Sequence, residues 1–171
     1  MTKFKTLLLS ACVAIAILIP LGLYLNHEQA QTTDTNGTIS FYGEPKNGQP
    51  GTHICTLAFV TAKYIFNQMS ECINDDAYFF QLNNVPSATV FGLYDDEECE
   101  ENENQNFYFV MKTMKNNLTM DERVLIENLI QYPTGQIIPN APGVRLEQKF
   151  ADEKISGKLT CVKITRSEVP N

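Results

Sequence analysis

THICTLAFVTAKYIFNQMSECINDDAYFFQLNNVPSATVFG, residues 52–92, is the most apolar part of the chain outside its N-terminus. It carries Cys55 and Cys72 and runs on through Tyr94 into an acidic segment around Cys99. Within it, Ala77–Leu82 and Ala88–Tyr94 are rich in aromatic and β-branched residues, the composition of strands. Between them Asn83-Asn84-Val85-Pro86-Ser87 is turn chemistry. Two strands joined by so short a loop suggest a hairpin. His53–Thr61 is ambiguous. Ile54, Leu57, Ala58, Thr61, Ile65, Phe66 and Met69 fall on one helical stripe, yet the segment is also rich in β-branched residues. A strand, then a turn before Cys72, is the preferred reading.

Working outward, Thr38–Tyr42 reads as a short strand, and the glycines and prolines of Gly43–Gly51 make a loop. Phe107–Met114 is aromatic and strand-like, ending in the turn Lys115-Asn116-Asn117. Thr119-x-x-Glu122 has the form of a capping box opening a helix through Gln131. Val124, Ile126 and Ile130 alternate instead as in a strand, so 120–131 stays open between the two. Pro133–Gly143 is loop and Val144–Phe150 a strand. Lys158–Ile164 closes the fold, with Leu159, Cys161 and Lys163 on one face and Val162 and Ile164 on the other. Six to eight short strands, at most one short helix and no alternation of strands with helices give a mainly β fold. Its natural form is a Greek-key β-sandwich.

Lys3 and Lys5 are the only charges before Glu28, and Leu7–Leu25 is almost unbroken apolar sequence. A basic start followed by an apolar core is the pattern of an export signal, here with cleavage near Ala30. The run is also long enough to stay as an N-terminal membrane anchor. Leu9-Ser10-Ala11-Cys12 resembles a lipobox, but the long apolar stretch follows the cysteine instead of preceding it. All three readings place the rest of the chain outside the cytoplasm, secreted or periplasmic. The expected organisation is a signal or anchor at 1–30, a polar linker at 31–37 and a β domain at 38–167.

Cys55, Cys72, Cys99 and Cys161 remain beyond the targeting segment, and an even count in an exported chain reads as two disulfides. Of the three pairings, Cys55–Cys72 with Cys99–Cys161 is preferred, because the second bridge ties the acidic segment to the last strand. Each bridge is expected to stabilise by about 2–4 kcal/mol. A zinc site using His53 and the cysteines is the rival reading, but the spacing fits no compact zinc pattern. A Cys55–His53 nucleophile pair lacks a third group to orient it.

The 171 residues carry a net charge of -7 and no basic patch, which argues against a nucleic-acid partner. Seven acids fall within Asp95–Glu103. They read as a solvated loop stapled by Cys99, or as a calcium site using Asp95 and Asp96. Asn36-Gly37-Thr38 and Asn117-Leu118-Thr119 match the N-glycosylation pattern.

Several short segments resemble small secreted proteins with a βγ-crystallin-like Greek-key domain. They are Cys72-Ile73-Asn74-Asp75-Asp76-Ala77, Leu82–Val90, and Leu93-Tyr94-Asp95-Asp96 with Cys99. Val144–Phe150 and Gly157–Ile164 resemble the end of such a domain, so the likeness spans 38–165. It implies a Greek-key sandwich. Many microbial members bind calcium through Asn/Asp-Asn/Asp-x-x-Ser/Thr-Ser. Asn83-Asn84-Val85-Pro86-Ser87-Ala88 matches in five places, which would make Asn83, Asn84 and Ser87 ligands, with Ala88 in place of the final Ser. Of the aromatic-corner pattern, Phe41 and Gly48 fit, but Lys46 stands where an aromatic belongs.

Gly-x-Ser-x-Gly, His-Glu-x-x-His and a phosphate loop are all absent from the sequence. The leading expectation is therefore an exported, non-enzymatic β domain with a binding or structural role and an unidentified protein partner. One alternative is a calcium-binding crystallin-like protein; no cofactor other than calcium is expected. Another is an inhibitor or immunity-type protein presenting Glu97, Glu98, Glu100 and Glu101 to a basic partner site. The enzymatic alternative is an extracellular hydrolase using a carboxylate pair. A membrane role follows only if the N-terminal segment is retained.

Overall fold

The computed structural model describes residues 36–49, 51–152 and 155–167. These belong to the larger of two compact units, Thr32–Asn171. The N-terminal residues 1–30, expected from the sequence to be a signal or anchor, lie with Cys12 outside the described residues. No helix among them is long and apolar enough to cross a membrane.

The described residues form nine strands and two 3-10 helices. In chain order these are β1 (Thr38–Tyr42), β2 (His53–Ala58), β3 (Ala62–Ile65), a 3-10 helix at Phe66–Gln68, β4 (Phe79–Asn83), β5 (Val90–Tyr94), β6 (Phe107–Thr113), β7 (Val124–Leu125), a second 3-10 helix at Ile126–Gln131, β8 (Val144–Ala151) and β9 (Cys161–Thr165). They pair in two antiparallel sheets, one ordered β2-β1-β4-β7 and the other β3-β9-β5-β6-β8.

Period-2 alternation decides which side chains face inward. Ile39 and Phe41 of β1, Cys55 and Leu57 of β2, and Phe80 and Leu82 of β4 point to one side of the first sheet. Phe91 and Leu93 of β5, Phe107, Phe109 and Met111 of β6, and Val162 and Ile164 of β9 do the same in the second. All belong to one contiguous buried cluster. The Phe80 and Phe91 rings meet edge-on between the sheets, 6.1 Å apart. Burying each such side chain contributes about 1.5–3 kcal/mol. A second, smaller cluster lies on the other face of the five-stranded sheet, where Tyr94, Val110, Cys99 and Cys161 pack together. β9 is thus covered on both faces.

The strand reading of 52–61 holds over His53–Ala58, as β2, but the stretch expected to turn before Cys72 forms a further strand, β3, and a 3-10 helix. In 120–131 there is a two-residue strand and then a 3-10 helix, in place of either continuous element. No helix opens at Thr119. Its hydroxyl accepts the Asn84 N–H at 2.9 Å instead of capping its own segment.

Residues 77–94 do not form the expected hairpin. β4 pairs with β1 and β7, whereas β5 pairs with β6 and β9. The intervening turn carries the chain from one sheet to the other. Its hydrogen bonds go to residues 113–119, not across itself: Val85 exchanges backbone bonds with Leu118, and the Ala88 N–H reaches the Thr113 carbonyl at 2.8 Å. Asn84 and Ala88 take left-handed φ values of 52° and 56° to make the crossing.

Candidate functional site

The acidic loop joins β5 to β6, and its conformation is set at several points. Cys99 is bonded to Cys161 at the start of β9, and Cys55 to Cys72, which is the preferred pairing of the four cysteines. The buried Asp96 turns the chain: its Oδ1 accepts the Glu98 N–H at 2.6 Å, and its carbonyl accepts the Cys99 N–H at 3.0 Å. This is the local side-chain turn that Asp favours. Cys99 itself sits at φ 54°. Asp95 and Asn106 close the base, the Asn106 backbone and side-chain N–H groups both donating to Asp95 Oδ2. From the edge strand β3, Lys63 donates to Glu98 at 2.9 Å. Asn67 donates to Glu97.

Glu97, Glu98, Glu100, Glu101 and Glu103 all remain exposed on this frame. Their field reaches the sheet beneath. The Tyr94 phenol is pushed up to about 12, by burial first and then by Glu101 and Tyr108. Tyr108 is raised by burial, then by Glu103 and Glu101. Beside the loop lies an open, polar cleft of about 410 Å³. It is lined by Asn74, Asp75, Asp95, Asp96, Glu97, Gln105, Asn106, Lys158 and Thr160. Lys158 sits 3.9 Å from Asp75 at its rim. Burial raises the Asp95 carboxyl above the ordinary value, outweighing the lowering by its Asn106 hydrogen bonds. Asn74 Oδ1 is buried here without a hydrogen-bond partner.

No family model, no curated protein and no solved structure matches this chain. The crystallin-type resemblance of the sequence gains no support from these comparisons. What stands of it is a mainly β domain with two disulfides.

The candidate calcium residues fall in two places, at opposite ends of β5. Asp95 and Asp96 line the cleft. Asn83, Asn84 and Ser87 lie in the sheet-to-sheet crossing, where their polar groups join it to the 116–119 turn. Thr119 Oγ1 donates to Asn83 Oδ1 at 3.3 Å, and the Ser87 N–H and hydroxyl both donate to Asn116 Oδ1, at 2.9 and 3.0 Å. Among the described residues, no group of three or more His, Cys, Asp or Glu side chains is placed to hold a metal ion.

His53 does not share a face with Cys55. Phe41 pairs with Cys55 and Tyr42 with His53, so Ile54 is an extra residue in a bulge. The bulge turns His53 outward, where its Nε2 lies 2.8 Å from the Thr56 hydroxyl. Sequence reasoning did not anticipate Asn74 and Lys158 as neighbours of the loop. The signal was the Cys99–Cys161 pairing, which brings the approach to β9 beside the acids.

Proposed function

We propose that the chain is an exported, non-enzymatic β domain that binds a basic partner through its Asp95–Asn106 loop. The observation that carries this reading is the fixed base of the loop. A disulfide, an Asp96 turn and the Asp95–Asn106 bonds hold the backbone while five glutamates stay exposed. A preordered charged surface loses less entropy on binding and steers an oppositely charged partner. An inhibitor or immunity-type role is the form this takes where the basic site belongs to an enzyme. Export accords with the basic, apolar N-terminal sequence and with the use of four cysteines in two bridges. The same reading takes the fold as a Greek-key sandwich. The order β9-β5-β6-β8 places a returning strand beside the first of three, and both sheets feed one core.

The test compares wild type with a variant carrying Glu97→Gln, Glu98→Gln, Glu100→Gln and Glu101→Gln. Association with a lysine- and arginine-rich peptide is followed at low and at physiological salt. The variant is expected to associate about tenfold more slowly and with a flatter salt dependence. An unchanged rate contradicts the proposal.

A second reading, calcium held at Asp95 and Asp96, is favoured by the unpartnered Asn74 Oδ1 in the same cleft. It requires a rise in melting temperature on adding millimolar calcium that a chelator reverses. No shift removes it.

A further inference from the structure

The sequence contains two Asn-Gly dipeptides, Asn36-Gly37 and Asn47-Gly48, and the fold treats them in opposite ways. We propose that Asn47 is a site of spontaneous deamidation in the folded protein and that Asn36 is protected from it.

Asn-Gly is the most exposed of dipeptides to this chemistry, because glycine leaves the following backbone nitrogen unshielded. That nitrogen, from Gly48, attacks Cγ of Asn47. The side-chain nitrogen leaves as ammonia and a five-membered succinimide forms. Water then opens either imide C–N bond, giving aspartate or isoaspartate, and the peptide nitrogen recovers its proton. One water is consumed, one ammonia is released and one negative charge is gained.

Attack requires the backbone around the asparagine to swing, so local rigidity decides the rate. Asn47 and Gly48, at φ 54° and 76°, are the two central residues of a tight turn of the type that Asn-Gly favours. Among the described residues, only the reciprocal Lys46–Gln49 backbone bonds, 2.9 and 3.0 Å, close the turn. Residues 44–49 are all exposed, so opening the tip uncovers no core. Among the described residues, nothing lies within 4 Å of where a Gly48 Cβ would stand.

Asn36-Gly37 is enclosed. A Cβ on Gly37 would lie 2.4 Å from the Asn84 carbonyl oxygen. The Gly37 carbonyl accepts the Phe59 N–H at 3.0 Å, and the Arg166 guanidinium donates to Asn36 Oδ1. Moving this backbone means breaking those contacts where the chain enters β1. Reaction at Asn47 would make the charge of -7 one unit more negative at a tip that supports nothing.

The experiment incubates the chain as recovered from its host in 18O-labelled water at mildly alkaline pH and maps its peptides by mass. Label should enter Asn47 at least about tenfold faster than Asn36, matching a difference of about 1.4 kcal/mol in opening, with the melting temperature unchanged. In urea-unfolded protein the two rates should converge. Equal rates in the folded protein would overturn the proposal. So would an unlabelled Asn47 after a period in which the unfolded chain reacts completely.

Discussion

Thr113 has no solvent exposure, and its hydroxyl bonds two points of the β4–β5 connection at once. It accepts the Thr89 N–H at 3.1 Å and donates to the Pro86 carbonyl at 2.6 Å. Thr113→Val keeps the shape and leaves both groups without that partner. The expected loss is about 1–3 kcal/mol in urea unfolding, and a loss of only a few tenths would contradict this role. Asp95 makes a pH prediction. Its carboxyl is raised above 3.8 in the fold, chiefly by burial, so the folded state holds the proton more tightly than the unfolded chain. Asp95 therefore contributes stability at low pH that is lost as pH rises from 3.8 through the raised value. The stability of Asp95→Asn relative to wild type should grow across that window and then level off; a constant difference would refute it. At this scale the sequence was legible where alternation held and misleading where one residue broke it. The extra residue at Ile54 sends His53 and Cys55 to opposite faces, and a bulge has no composition of its own to announce it.

The two bridges belong to different elements. Cys55–Cys72 lies in the main core and closes a separation of 17 residues, while Cys99–Cys161 lies on the outer face of the five-stranded sheet and closes 62. Replacing each pair by serine should cost about 3 kcal/mol for the first and about 4 kcal/mol for the second on loop-closure grounds. The second replacement alone should also speed amide exchange across 96–105. Unchanged exchange there would show that the Asp96 and Asp95 contacts hold the loop without the bridge. The strands themselves were readable from aromatic and β-branched runs, and so was the acidic loop. The partners of β4 and β5 were not. Asn83–Ser87 has the local chemistry of a hairpin turn, but the 113–119 segment holds the crossing, and those contacts span 29 residues from Ser87 to Asn116 and 36 from Asn83 to Thr119. Likewise β7 is too short to carry a period.

As a whole, the described residues combine two antiparallel sheets around one core with a negative loop on the outside of one sheet. The mainly β class followed from the count of short strands and the absence of strand–helix alternation. The cleft beside the loop did not, since Asn74, Asp95 and Lys158 come from three distant segments. Two bridges accord with the proposed export, because disulfides form and persist chiefly in oxidising compartments. The most direct test is the intact mass of the protein from its own host, alkylated with and without prior reduction. A chain starting near Gln31, whose four thiols react only after reduction, is the predicted result. Thiols that react without reduction, or a mass retaining the first 30 residues, would contradict a released domain presenting a disulfide-held acidic loop.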